Sequence, residues 1–147
     1  MKQTEQTLLE QMRITELEIA YRQNLLGFDD SDYLRLKLCR PLIESKIDVL
    51  VDQFYQQQTS IAEIALLIGD ADTLGRLQKA QRKYVLDMFS GIYDLEYANN
   101  RLRIGLVHKR IGVEPKLYLA AIGSLKALIN ELIRKSIQDP QEAQGVL

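Results

Sequence analysis

Apolar residues recur at three- and four-residue spacing along almost the whole chain, the period of an amphipathic helix rather than of a strand. The spacing predicts a first helix over about 7–24, with Leu8, Met12 and Ile19 among its apolar positions. Gly27, Phe28, Asp29 and Asp30 break the pattern. Asp30 or Ser31 then suits the N-cap of a short helix carrying Tyr33, Leu34, Leu36 and Leu38. Pro41 fits the first turn of a separate helix, where its missing N–H costs nothing. That helix is expected to bury Ile43, Ile47, Leu50, Val51 and Phe54, with Tyr55 at the edge of the stripe.

Residues 59–69 are ambiguous, with Ile61, Ile64, Ala65 and Leu67 suited to one or two helical turns. Asp70 or Asp72 caps a helix carrying Leu74, Leu77, Tyr84, Val85 and Met88, which Gly91 ends. Another helix is expected over about 94–108, with Tyr97, Leu102, Ile104 and His108 along it. Gly112 and Pro115 mark a turn and a fresh start. The helix over about 115–137 has the strongest apolar stripe: Leu117, Tyr118, Ala121, Ile122, Leu125, Leu128, Ile129, Leu132 and Ile133. Residues 138–147 read as a polar tail. No repeat, low-complexity tract or strand-rich region interrupts this series, and the expected fold class is all-α.

Composition narrows the function classes. The chain has 147 residues, 46% of them apolar, which suits one domain with its own core. A net charge of −1 gives no basic surface for nucleic acid. No apolar run is long enough to insert into a membrane, and residues 1–5 lack the plan of a secretory signal, so a cytoplasmic location is expected. The single cysteine, Cys39, has no internal disulfide partner and reads as a small buried hydrophobe.

Enzyme motifs are missing as well. The chain has no phosphate-cradling glycine loop, no GxSxG elbow and no HExxH pair, so a non-enzymatic role is expected. His108 is the one histidine. A lone histidine near a helix end is most often a surface or capping residue. Helical spacing, however, puts Arg101, Ile104, Gly105 and His108 on roughly one face. Gly105 there would let a bulky group approach the backbone, and an imidazole on such a wall suits a flat apolar cofactor held through a metal bond.

The run Arg103-Ile104-Gly105-Leu106-Val107-His108-Lys109-Arg110-Ile111-Gly112-Val113, followed by Pro115 and Tyr118, resembles the haem-ligating segment of globin-coupled sensors, the bacterial haem-based oxygen and gas sensors. Pro41-Leu42-Ile43 through Val51-Asp52-Gln53-Phe54-Tyr55 resembles that family's B helix. Arg76-Leu77 through Met88-Phe89-Ser90-Gly91 resembles its E helix and the turn after it. The resemblance implies haem b (iron protoporphyrin IX) with His108 as proximal iron ligand. It implies Tyr55 as the distal hydrogen-bond donor to bound O2, the alternative being a core aromatic with its hydroxyl at the surface. Leu77, Ala80, Tyr84 and Ile104 would line the cofactor. Tyr118 would hydrogen-bond the ligating histidine or simply pack against the preceding helix. Ala80 stands where some members carry a threonine that contacts the ligand.

The resemblance further implies a sensor-globin fold. Residues 1–27 would form an N-terminal helical extension, 28–137 the globin sensor domain and 138–147 the polar tail. The family's last helix is expected to be missing or vestigial here, through truncation, through an incomplete domain or because another chain supplies that wall. Self-association is expected on this account, as a homodimer through the 115–137 helix, because a stripe of that size left wet is costly at about 25 cal/mol per Å². The leading functional reading is sensing of O2, or of CO or NO, with an output signalling domain in a longer chain or in trans. The alternatives are a haem-free helical interaction module and a free-standing O2-binding globin.

Overall fold

Seven α-helices follow one another along residues 6–137, which the computed structural model describes: α1 (Leu8–Gln11), α2 (Glu16–Leu25), α3 (Asp30–Thr59), α4 (Ala62–Ile68), α5 (Ala71–Met88), α6 (Leu95–Ile111) and α7 (Pro115–Ser136). The fold is all-α, as the periodicity predicts. The tail expected over 138–147 lies outside the described residues.

Helix α3 is the axis of the fold. Its apolar stripe of Ile43, Ile47, Leu50, Val51 and Phe54 is buried. Val85 of α5 and Leu125, Ile129 and Ile133 of α7 close over it, with Phe89 completing the cluster. Burial of side chains of this size is worth about 1.5–3 kcal/mol each, so this three-helix contact dominates the stabilising side of the balance. The α7 stripe is therefore largely spent on α3. Three of its nine expected positions are buried and the other six half-buried, which removes much of the wet apolar area behind the expected dimer.

The structure differs from the expected helix boundaries at three places. The first helix is two helices, because Arg13 adopts a left-handed backbone at φ 55°. The Ile14 N–H reaches the Leu9 carbonyl at 2.9 Å and the Arg13 N–H reaches Glu10 at 3.1 Å. This is a Schellman stop, with Leu9 and Ile14 buried as its apolar pair. Thr15 starts α2 by accepting from the Glu18 N–H.

The second correction concerns Pro41, which does not begin a helix but lies inside α3. Its ring forfeits one backbone hydrogen bond. Cys39 and Ile43, both buried, flank it in the core, and a break between them would dislodge both. Asp29 caps α3 instead of Asp30 or Ser31, and the Asp32 carboxylate returns to the Asp29 N–H in a capping box.

The other boundaries lie close to those expected, although α6 continues past His108 to Ile111. Asp70 caps α5 and Asp94 caps α6, each through its side chain. The ambiguous stretch contains α4. Gly112 ends α6 at φ 79°, and Pro115 opens α7. No described helix is long and apolar enough to cross a membrane.

Candidate functional site

Helix α6 differs from the three-helix core in carrying no buried residue. Contacts with α1, where Leu9 is buried, hold one side of it. Its C-terminus is a second Schellman stop, in which the Val113 N–H bonds the His108 carbonyl at 3.0 Å and the Gly112 N–H bonds Lys109 at 3.2 Å. His108 thus sits in a last turn pinned at its own carbonyl.

The His108 side chain is half-buried, and its Nδ1 lies 2.9 Å from the Ile104 carbonyl one turn earlier. A carbonyl only accepts, so Nδ1 carries a proton here, and in the neutral imidazole the lone pair is on Nε2, the other ring nitrogen. Tyr118 of α7 meets the imidazole edge to face, with centroids 5.2 Å apart at 65°. The Tyr118 contact is ring packing, since Nδ1 is occupied by Ile104. A Cβ added at Gly105 would have nothing within 4 Å, so the wall beside His108 is open at that position.

Tyr55 projects from α3 toward α5, and its hydroxyl donates to the Leu77 carbonyl at 3.3 Å. Phe54 packs edge-on against its ring at 5.1 Å. Burial pushes the Tyr55 phenol up to about 12, so the group stays protonated, and a donor, throughout the physiological range. Leu77 is half-buried and Ala80 exposed on α5. Tyr84, further along α5, is half-buried, and burial raises its phenol, with Arg101 opposing the shift and Tyr118 reinforcing it. Ile104 is half-buried on α6.

The structure therefore joins Ile104, His108 and Tyr118 in one cluster and Tyr55 with Leu77 in another. Tyr84 lies within electrostatic reach of Tyr118. Arg101 has a role that helical spacing alone left open. Its guanidinium stacks 3.7 Å over the Tyr84 ring and 4.4 Å over Tyr97, and donates to the Tyr84 carbonyl and the Tyr97 hydroxyl, both at 3.0 Å. The readable part of that signal is the four-residue spacing of Tyr97 and Arg101. Its partner Tyr84, on another helix, is invisible without the fold. Beyond the clamp, Tyr93, Tyr33 and Phe28 continue a run of ring contacts toward the N-terminal segment.

Among the described residues no group of three or more His, Cys, Asp or Glu side chains could hold a metal ion. A metal at His108 would need the rest of its donors from elsewhere, and a porphyrin supplies four nitrogens in a plane. One imidazole with a fixed outer hydrogen bond, a wall left open at Gly105 and a half-buried phenol donor on α3 fit that group.

Helix order and packing of this kind define a sensor-globin fold. The globin domain of the Geobacter sulfurreducens globin-coupled sensor superposes with a TM-score of 0.80 at 27% identity, over 84% of this chain and 82% of that one. The protoglobin family matches residues 15–147, and the chain belongs to that family. The heme-based aerotactic transducer HemAT of Halobacterium salinarum is 34% identical over 132 residues, which is 86% of this chain but only 27% of that protein, so this chain spans about a quarter of its length.

Proposed function

We propose that this chain is a haem-based gas-sensing globin domain in which His108 is the proximal ligand. The observation that carries the proposal is the Nδ1 contact with Ile104, which orients the ring and leaves Nε2 as the atom that would bind iron. Haem b would be held by His108 and, when bound, would supply an iron able to take up O2, CO or NO.

The chain's own residues do the rest. The Ile104 carbonyl holds the imidazole tautomer and the Tyr118 ring limits its rotation. Leu77, Ala80 and Tyr84 present the α5 side and Ile104 the α6 side to the cofactor. Tyr55 supplies the hydrogen bond to the ligand. Its present 3.3 Å contact with Leu77 is longer than the roughly 2.5–3.0 Å usual for O–H···O, so turning the hydroxyl away costs little.

Residues 28–137 form the sensor domain on this reading, and residues 1–27 are an extension of it. Output passes to a signalling module in a longer chain or in trans, as the names of the transducer and sensor relatives suggest. A homodimer through α7 would use its outer face, where Leu119 is 69% exposed and Ala120, Gly123 and Ala127 allow close approach. The setting is cytoplasmic and the role non-enzymatic.

The test is reconstitution with haemin, followed by reduction and exposure to O2 and then CO. A sharp Soret band that shifts with each gas is expected. A broad band indifferent to both gases would favour the haem-free interaction module.

A further inference from the structure

The geometry points to Arg101 as the positioning residue for His108: its guanidinium clamps α6 onto α5 and so fixes where the imidazole stands. The inference rests on the reading of His108 as a haem ligand, and its mechanical part is separable from that reading.

Arg101 and His108 are seven residues apart on α6, two turns and about 10 Å along the axis, and so lie on nearly the same face. Ile104 lies between them, and its carbonyl takes the His108 Nδ1 proton. At the other end of this span, Arg101 reaches across to α5, bonding the Tyr84 carbonyl at 3.0 Å while stacked 3.7 Å over the Tyr84 ring. Tyr118 of α7 packs edge to face against the imidazole, with the ring centroids 5.2 Å apart. Arg101 therefore ties α6 to α5 at one end of this span, and His108 meets α7 through Tyr118 at the other, with Ile104 between them.

A clamp of this kind carries weight on α6 in particular. The helix buries no side chain, so no interlocked core holds its position relative to α5. Arg101 has two rings, a hydroxyl and a carbonyl as its partners: both hydrogen bonds leave Nη2 while the flat guanidinium stacks on the rings. Lysine keeps the charge but cannot stack flat on the two rings. If simple packing were the requirement, leucine would serve as well.

The test uses the full chain carrying Arg101→Lys or Arg101→Leu, with Lys46→Ala, exposed on α3, as the control. Three readouts are taken: transfer of haem to excess apomyoglobin, the iron–histidine stretching band of the reduced ligand-free protein, and amide exchange of residues 101–111 in the haem-free protein. Both Arg101 variants are expected to lose haem faster, on the order of 10-fold, as outer-sphere changes at metal sites do. Both should shift or broaden the stretching band and speed amide exchange in α6 while leaving that of α3 unchanged. The control should match the parent. Parental haem transfer and an unshifted band in both variants would overturn the proposal, and so would unchanged α6 exchange. Failure of the haem reading would show separately, as parental haem binding by His108→Ala. The exchange data would then still decide whether Arg101 holds α6.

Discussion

The Nδ1 atom of His108 lies 2.9 Å from the carbonyl oxygen of Ile104, so the imidazole is oriented by its own helix before any ligand arrives. A backbone carbonyl cannot be removed by mutation, which makes this orientation robust to side-chain change at position 104. Replacing Ile104 with valine should therefore leave haem affinity within about threefold of the parent, because the hydrogen bond survives and only one methylene is lost. Haemin titration followed at the Soret maximum checks this. A loss of tenfold or more would mean that the Ile104 side chain, and not its carbonyl, matters.

Tyr55→Phe removes the candidate distal donor and keeps the ring. One hydrogen bond of about 1–1.5 kcal/mol corresponds to roughly 10-fold, so O2 dissociation should accelerate by about that factor. CO, which draws less charge onto its outer atom, should respond far less. Stopped-flow dissociation measurements decide the matter, and equal rates in variant and parent would remove Tyr55 from the ligand site.

Gly91 follows α5 at φ 76°, and a Cβ there would stand 3.1 Å from the Lys37 Cβ and 3.4 Å from the Tyr33 carbonyl oxygen. Gly27 has a similar φ of 67° with nothing within 4 Å. Gly27→Ala should cost only the left-handed backbone penalty, about 1–2 kcal/mol. Gly91→Ala should cost clearly more, because the turn must also back away from α3. Urea unfolding of the two variants measures the difference, and equal losses would mean that the turn moves freely.

Burial pushes the phenols of Tyr55 and Tyr93 up to about 12, against an unfolded value of 10.0. The folded state holds these protons more tightly, so their contribution to stability is fully present below about pH 10 and is lost as pH rises toward 12. Urea midpoints should therefore fall across that window, and Tyr55→Phe should flatten the fall. Midpoints that hold constant up to pH 11.5 would contradict the burial of both groups. On the acid side the signs reverse. Hydrogen bonds from Ser31 and from the Asp32 N–H lower the Asp29 carboxyl, and bonds from Thr73 lower that of Asp70, so both caps weaken as pH falls below the carboxylate range.

Much of this arrangement could be read from local chemistry. Asp70, Asp94, Gly112 and Pro115 mark helix ends by mechanisms that act within a few residues, and each stands where its chemistry placed it. The break at Arg13 was legible in principle, since Thr15 and Glu18 repeat the spacing of Thr7 and Glu10. Its stop, however, depends on a left-handed arginine that no residue type announces. Pro41 misled for the opposite reason: the local penalty is real, but packing of Cys39 and Ile43 on either side outweighs it. At the site, the resemblance around His108 located the imidazole. The destination of its Nδ1 proton and the Arg101 clamp depend on geometry across turns and helices, which periodicity does not carry.

The most direct measurement of the central claim is the absorption spectrum of the haem-loaded protein beside those of His108→Ala and His108→Gly. His108 as proximal ligand requires the sharp Soret band to collapse in both variants and free imidazole to restore it in His108→Gly, where the ring leaves room for its replacement. An unchanged band in His108→Ala would show that another group holds the iron.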